Sequence, residues 1–488
     1  MWAVPAPIMI NWEDCVIDQV DRTVTVTRGG HVIVRMELGY SAEVETPTWT
    51  LLERRDADDE IETRWRSGPL EITWRHSAEL VWSTRLAITN TSTTPEQIEL
   101  PLAVTAGEDR TAWAVRSDAE ASIAVLGEPT DTLWCDIVQG SALGTGAELL
   151  LGNLMLAPGQ QHVTRLRADW VDDLAVRNEG RHSSLPRWDF QHHQSTVFLE
   201  HPDLAVIETG GRENGDGLTE IEGGPGERVR TRLAGARGTI DVTIGFAPSV
   251  DEAVSSRVQS DLTRWRSTRQ GLVIPTPAQA VLAQHTLASG TPLPDREKIA
   301  AAVEGAVARF REEPSVLSMV LLAQQAVLTG DTDLAQEAVE LAPVLTDTTG
   351  FTLTWTRLVA AAKLTGAELG PLLSRQHALL SAPAPDLGIA LLLPGAEVEV
   401  QRIARRLGYG LRGSRIGLAD PDLDAYEIAL LSQWFARRGD DSRPELGWAV
   451  DHGEDLVIRH RTRLCHLAAN NMLSDEALVW LVLAEPLD

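Results

Sequence analysis

Thr23-Val24-Thr25-Val26-Thr27-Arg28-Gly29-Gly30-His31-Val32-Ile33-Val34-Arg35-Met36-Glu37-Leu38 decides how the first half of the chain is read. Val24 and Val26 alternate with threonines, which places them on one face of a pleated strand. Gly29-Gly30 accepts the positive φ angles of a tight hairpin turn, and Val32, Val34, Met36 and Leu38 are expected to continue on one face of a second strand. The same period recurs at Ile61 and Trp65, at Leu70, Ile72 and Trp74, at Trp82, Thr84, Leu86 and Ile88, and at Ile98, Leu100, Leu102 and Val104. Ser67-Gly68-Pro69 and Asn90-Thr91-Ser92 supply turns between them. From Ala147 to Phe246 the signature repeats, with Pro158-Gly159 and the glycine-rich run 210–217 as breaks. Half-buried strands joined by short turns imply antiparallel sheets packed face to face, enlarged beyond a plain sandwich or built as two adjoining ones.

After Pro248 the period becomes helical. Ile299, Val303, Val307 and Phe310 form one apolar stripe, with Glu304, Arg309 and Arg311 off it. Glycines at 290, 330, 366, 408 and 439 close successive apolar runs, as left-handed residues commonly close helices. Val327-Leu328-Thr329-Gly330 and Lys363-Leu364-Thr365-Gly366 echo each other, so a helical hairpin used several times is expected. The fold class is α+β and multidomain: an antiparallel β-sandwich over residues 1–250, followed by an α/α helical-hairpin domain over 251–488.

Forty-three basic against seventy acidic side chains leave a formal charge of −27, which opposes general binding to nucleic acid or to anionic lipid. No stretch reaches the roughly 18 unbroken apolar residues of a spanning helix, and the first residues lack the basic and apolar regions of a secretory signal, so a cytoplasmic protein is expected. Cys15, Cys135 and Cys465 lie far apart with no metal-binding spacing, and reduced thiols are the expectation. There is no GxSxG, HExxH or phosphate-loop fingerprint, and no cofactor is expected. The single GxGxxG, Gly408 to Gly413, follows a helical pattern where a dinucleotide site needs a strand.

Tryptophan stands out, fifteen against six phenylalanines and three tyrosines. Trp65, Trp74 and Trp82 keep step with their strands and are read as core. Trp188 falls in a loop-like context beside Asp189, His192 and His193, and these four are the candidate substrate-binding residues: a stacking face, an acceptor and two groups that donate or accept near neutral pH. His182, His201, Glu200 and Asp203 lie nearby, but adjacent histidines on one strand point to opposite faces, and no metal site is expected. Acidic pairs are many (Glu213 with Asp216, Glu220 with Glu222, Glu397 with Glu399, and the trio Asp420, Asp422 and Asp424), and each by itself reads as a solvated loop.

This order of elements, with the phrases Leu86-Ala87-Ile88-Thr89-Asn90-Thr91 and Leu156-Ala157-Pro158-Gly159-Gln160-Gln161, resembles the glucoamylase-like and glycogen-debranching glycoside hydrolases and the sugar phosphorylases of the same build. The resemblance implies a β-supersandwich joined to an (α/α)6 toroid and a carbohydrate-binding or carbohydrate-processing role. The segment after Asp251 has room for roughly five short hairpins, fewer than a full toroid uses, which points to a reduced or non-catalytic relative or to an unrelated sandwich fused to a helical stack. The competing expectation is an intracellular scaffold whose helical hairpins bind a protein partner along a concave face.

Overall fold

A computed structural model describes residues 8–39, 49–107, 110–116, 121–126, 132–140, 143–145, 148–171, 189–201, 205–214, 217–235, 238–265, 275–290, 295–311, 313–382, 386–410, 413–416, 420–438 and 453–484. Two large sheets form the N-terminal sandwich: one of seven strands, running from Ile8–Trp12 at one edge to Leu143–Thr145 at the other, and one of nine. Nearly all pairings are antiparallel, as alternation with short turns requires. The inward residues of both sheets meet in one core that includes Trp12, Ile17, Val26 and Met36 from the first sheet and Ile61, Trp74, Trp82 and Leu86 from the second.

The opening hairpin forms as its sequence implies, with one difference. Gly29 and Gly30 both take positive φ (56° and 85°) between the strands Thr23–Arg28 and His31–Leu38. The register then slips: Val26 faces Val34 while Thr27 faces Val32, so Ile33 is an extra residue on its strand. This bulge turns Ile33 inward and leaves Val32, expected inside, 36% exposed. Trp65, Trp74 and Trp82 are all buried, and Trp74 satisfies its indole N–H by donating to Thr84 Oγ1 at 2.9 Å.

The two phrases that carry the family resemblance meet in space. Asn90, fully buried, donates through Nδ2 to Leu156 O at 2.9 Å and to Thr94 O at 2.7 Å, and its carbonyl accepts from Gly159 N at 2.8 Å. One amide thus fastens two corners where the chain passes between the sheets, a position with several backbone groups to satisfy and no water to do it.

A smaller β module follows. Its four-stranded and three-stranded sheets enclose a separate core of Leu199, Ile221, Val229, Leu233, Val242, Ile244 and Phe246. The last strand ends at Ala247, and Val250 opens the first helix.

The helices are α1 (Val250–Trp265), α2 (Pro277–Ala288), α3 (Arg296–Phe310), α4 (Val316–Thr329), α5 (Thr332–Glu340), α6 (Phe351–Thr365), α7 (Gly370–Leu380), α8 (Leu387–Ala390), α9 (Glu397–Gly410), α10 (Pro421–Arg438), α11 (Gly453–Ala469) and α12 (Asp475–Leu483). The stripe Ile299, Val303, Val307 and Phe310 is buried along α3. Gly330 and Gly366 close α4 and α6 in the left-handed conformation, φ 71° and 83°, so the echoing phrases mark the same end of two neighbouring helices. Gly408, expected to end a helix, lies within α9, which continues to Gly410; Gly439 lies outside the described residues.

The helices close into a ring. α2 packs on α4, α4 on α6, α6 on α10, α10 on α12, and α12 returns to α2. Side chains join residues at matching heights along these helices: Gln284 to Gln325 (2.9 Å), Gln279 to Asp475 (3.0 Å) and Ser432 Oγ to Ala484 O (2.9 Å). Arg357 of α6 likewise donates to Val482 O of α12 at 2.9 Å, so among the described residues the five inner helices run in one direction, with outer helices alternating between them. Between α7 and α9 the alternation calls for another inner helix, and the described residues there supply the one turn of α8. One further link ties the halves: Gly413–Ile416, after α9, is an edge strand of the nine-stranded sheet, paired antiparallel with Thr111–Arg116.

Candidate functional site

The common direction of the inner helices gathers their N-termini at one mouth of the ring. Thr276, Ser315 and Ser474 cap α2, α4 and α12 through their hydroxyls, and Asp420 accepts from Leu423 N (3.1 Å) in the first turn of α10. α6 begins differently. Gly350 has φ 79°, and a Cβ there would lie 2.3 Å from the Trp480 ring, so only glycine lets this turn seat against α12. Its N–H donates to the Tyr426 hydroxyl at 3.3 Å, and Tyr426 meets Trp480 edge-on with ring centroids 5.7 Å apart.

Acidic groups surround this point. Asp422 Oδ1 accepts from Ser474 N (3.0 Å), Asp386 Oδ2 from Thr348 Oγ1 (3.3 Å), and Asp475 from Arg257 (2.7 Å) and Gln279. Glu476, in the first turn of α12, has its carboxyl pKa raised by burial and then by the charges of Asp347 and Asp422. Burial, with Asp386 and Asp347 adding to it, pushes the Tyr426 hydroxyl up to about 12. The mouth thus places a carboxyl whose pKa is raised beside several further carboxylates, a grouping of the kind used for proton transfer.

Beside it, where α8 stands in for a helix, a cavity of about 220 Å³ opens between α6, α7 and α10. Phe351, Trp355, Gln376, Arg437 and Thr352 line it, an aromatic wall with amide, guanidinium and hydroxyl groups. The Thr352 hydroxyl is buried without a hydrogen-bond partner among the described residues. A second cavity of about 240 Å³ at the opposite end of α2, α4 and α6 is walled mainly by apolar side chains, including Val327, Leu328 and Leu364, and carries none of the carboxylates.

The acidic trio of α10 divides between two tasks. Asp422 joins the mouth, while Asp424 is buried between Arg406 of α9 (2.8 Å) and Arg463 of α11 (2.9 Å), with Glu427 also bonded to Arg406. Burial opposes the Asp424 charge, but His460, Arg463 and Arg406 outweigh it and hold the pKa at about 2. His460 itself is kept neutral by burial, its pKa lowered to about 3, so the two guanidinium groups are the standing partners at neutral pH. This network joins three helices in the interior and faces no cavity described above.

The residues singled out in the sequence lie elsewhere, at the seam between the small β module and the ring. Trp188, with His182 and Asp203, is outside the described residues. Asp189 is buried, its carbonyl accepting from Gly245 N at 2.8 Å. His201 is also buried, with its ring at 2.9 Å from Thr219 Oγ1. His192 ends the strand Phe190–His192, and His193 turns out of it, so the two rings meet at 4.6 Å instead of diverging to opposite faces. Glu252 of α1 stands with them, Oε2 3.7 Å from His193 Nδ1. Neither Glu476 nor Tyr426 was marked by the sequence. Their partners come from loops far apart in the chain, and no local spacing announces them.

Comparison with protein-family models gives no match, and comparison with curated proteins gives none. Solved structures do match. A polysaccharide lyase aligns over 94% of this chain and 82% of its own, with a TM-score of 0.53 and 12% identity, and this likeness establishes a shared fold. A TPR-domain protein of Parabacteroides distasonis (TM-score 0.22, 9% identity, 88% of this chain and 89% of its own) and a family 81 glycoside hydrolase of Clostridium thermocellum (0.23, 9%, 94% and 84%) align too weakly to equate their folds with this one. The element order behind the resemblance to glycoside hydrolases is the one observed, with an inner helix reduced to one turn.

Proposed function

We propose that the protein binds and processes a carbohydrate at the mouth of its helical ring. The likeness that carries the reading is the fold shared with a polysaccharide lyase over nearly the whole chain. Glu476 is assigned the proton-donating role, its protonated form favoured by burial and by Asp347 and Asp422, and one of these neighbours the complementary role of base. The cavity of Trp355, Phe351, Gln376 and Arg437 would seat a neighbouring sugar ring, with the indole against its apolar face. Closure of the ring is a reason to place this reading before a protein scaffold, which would use an open concave stack. No helix among the described residues is long and apolar enough to cross a membrane.

The test is a panel of neutral and uronate-containing polysaccharides, assayed for new reducing ends and for unsaturated uronate ends, with calorimetry at millimolar sugar. Turnover abolished in Glu476→Gln with binding retained supports the assignment. Absence of both binding and turnover across the panel overturns it.

A further inference from the structure

The seam between the small β module and the first helix carries a donor set that the mouth of the ring does not use. His192 and His193 come from the end of one strand and Glu252 from the first turn of α1, and each offers one ligand atom, all within 4.8 Å of one another. Their approach has a local cause. The strand stops at His192, whose carbonyl accepts from Ser195 N (2.8 Å) to close a turn, and His193 N–H is taken by Ala247 O (2.8 Å), the last residue of the adjacent strand. With the chain turning there, the usual opposition of successive side chains is lost.

Two features orient the donors. His193 Nδ1 lies 3.1 Å from the same Ala247 carbonyl; donating a proton to it leaves Nε2 with its lone pair outward, the arrangement in which a backbone carbonyl orients metal-binding histidines. The Glu252 carboxylate is held by the helix cap: Oε2 accepts from Ser249 N (2.8 Å) and Ser249 Oγ (3.1 Å), leaving Oε1 to turn toward an ion. Half-buried imidazoles beside a partly exposed carboxylate, 47% for Glu252, leave an entry path from solvent.

We propose that His192, His193 and Glu252 form a binding site for a zinc-class divalent cation, which ties the small β module to the helical ring. Two imidazole nitrogens and one carboxylate oxygen are a donor set for a borderline ion, and calcium or magnesium, which prefer all-oxygen shells, would bind poorly. The chain's charge of −27 favours the approach of a cation. Bond lengths near 2.0–2.2 Å require the three groups to draw together by small rotamer changes from their present spacing.

Zinc chloride titrated by calorimetry into the full chain, stripped with chelator and exchanged into metal-free buffer, tests this. One zinc per chain is expected, with a rise in the melting temperature that chelator reverses. His192→Ala and His193→Ala should each weaken binding at least tenfold. Glu252→Gln should do the same while the metal-free melting temperature stays unchanged, because glutamine serves the helix cap as glutamate does. Failure to retain zinc at one equivalent, or wild-type affinity in all three variants, would overturn the proposal.

Discussion

Acid should loosen the large sandwich through one histidine. His76 lies on the strand Leu70–Ala78, fully buried between Trp74 (ring centroids 4.8 Å) and Trp82 (6.2 Å), and neither ring nitrogen has a hydrogen-bond partner among the described residues. Burial lowers its pKa from 6.5 to about 3. The unfolded chain therefore takes up a proton as the pH falls below 6.5, while the folded chain does not until about 3. Above 6.5 the ring is neutral in both states and adds no pH dependence, and below it stability falls as pH falls, by about 1.4 kcal/mol per pH unit and about 5 kcal/mol in all by pH 3. His76→Phe keeps a ring in the space and removes the titration. Urea unfolding followed by tryptophan fluorescence, at intervals from pH 7.5 to 4, should give a variant whose stability curve is shallower than wild type by that slope. Other titrating groups are common to both proteins and cancel in the difference. A difference that stays constant from pH 7.5 to 4.5 would refute the buried, neutral assignment.

Asp424→Asn should destabilise the ring by about 3–5 kcal/mol in thermal or urea unfolding, because Arg406 and Arg463 lose the carboxylate between them in a buried site. In wild type the stabilisation from this lowered pKa is present above about 3.8 and disappears as pH drops toward 2, a window that overlaps that of His76 only at its acid end. Gly388→Ala should cost about 1–3 kcal/mol, since its Cβ would meet Thr352 Oγ1 at 2.2 Å, whereas Gly305→Ala, in open space on α3, should be neutral or stabilising.

Where one residue and its neighbours in sequence decide an outcome, the sequence was readable. The alternation around Val24, Trp65 and Trp74 marks half-buried strands, and the stripe from Ile299 to Phe310 marks a helix face, because burial on one side imposes a period on a contiguous segment. The bulge at Ile33 was not readable: inserting one residue leaves the composition of the strand unchanged and is set by its partner. Ring closure escapes for a related reason, since α12 returning to α2 is a property of assembled helices. The mouth of the ring escapes most fully. Asp347, Asp386, Asp422, Tyr426 and Glu476 converge only after closure, and in a chain this acidic no single carboxylate stands out. The adjacent histidines show the converse: opposition of successive side chains holds within a strand and lapses at His192, where the strand ends.

The edge strand Gly413–Ile416 bears on how the protein comes into being. It pairs with Thr111–Arg116 across about 300 residues of sequence, so on the ribosome the nine-stranded sheet waits for most of the chain before its edge is covered. Until then the Thr111–Arg116 strand offers a row of open backbone donors and acceptors, the usual template for pairing between separate chains. Expression of the β half cut at residue 250 would keep that edge exposed permanently, whereas the full-length chain carries its own cover within the helical half.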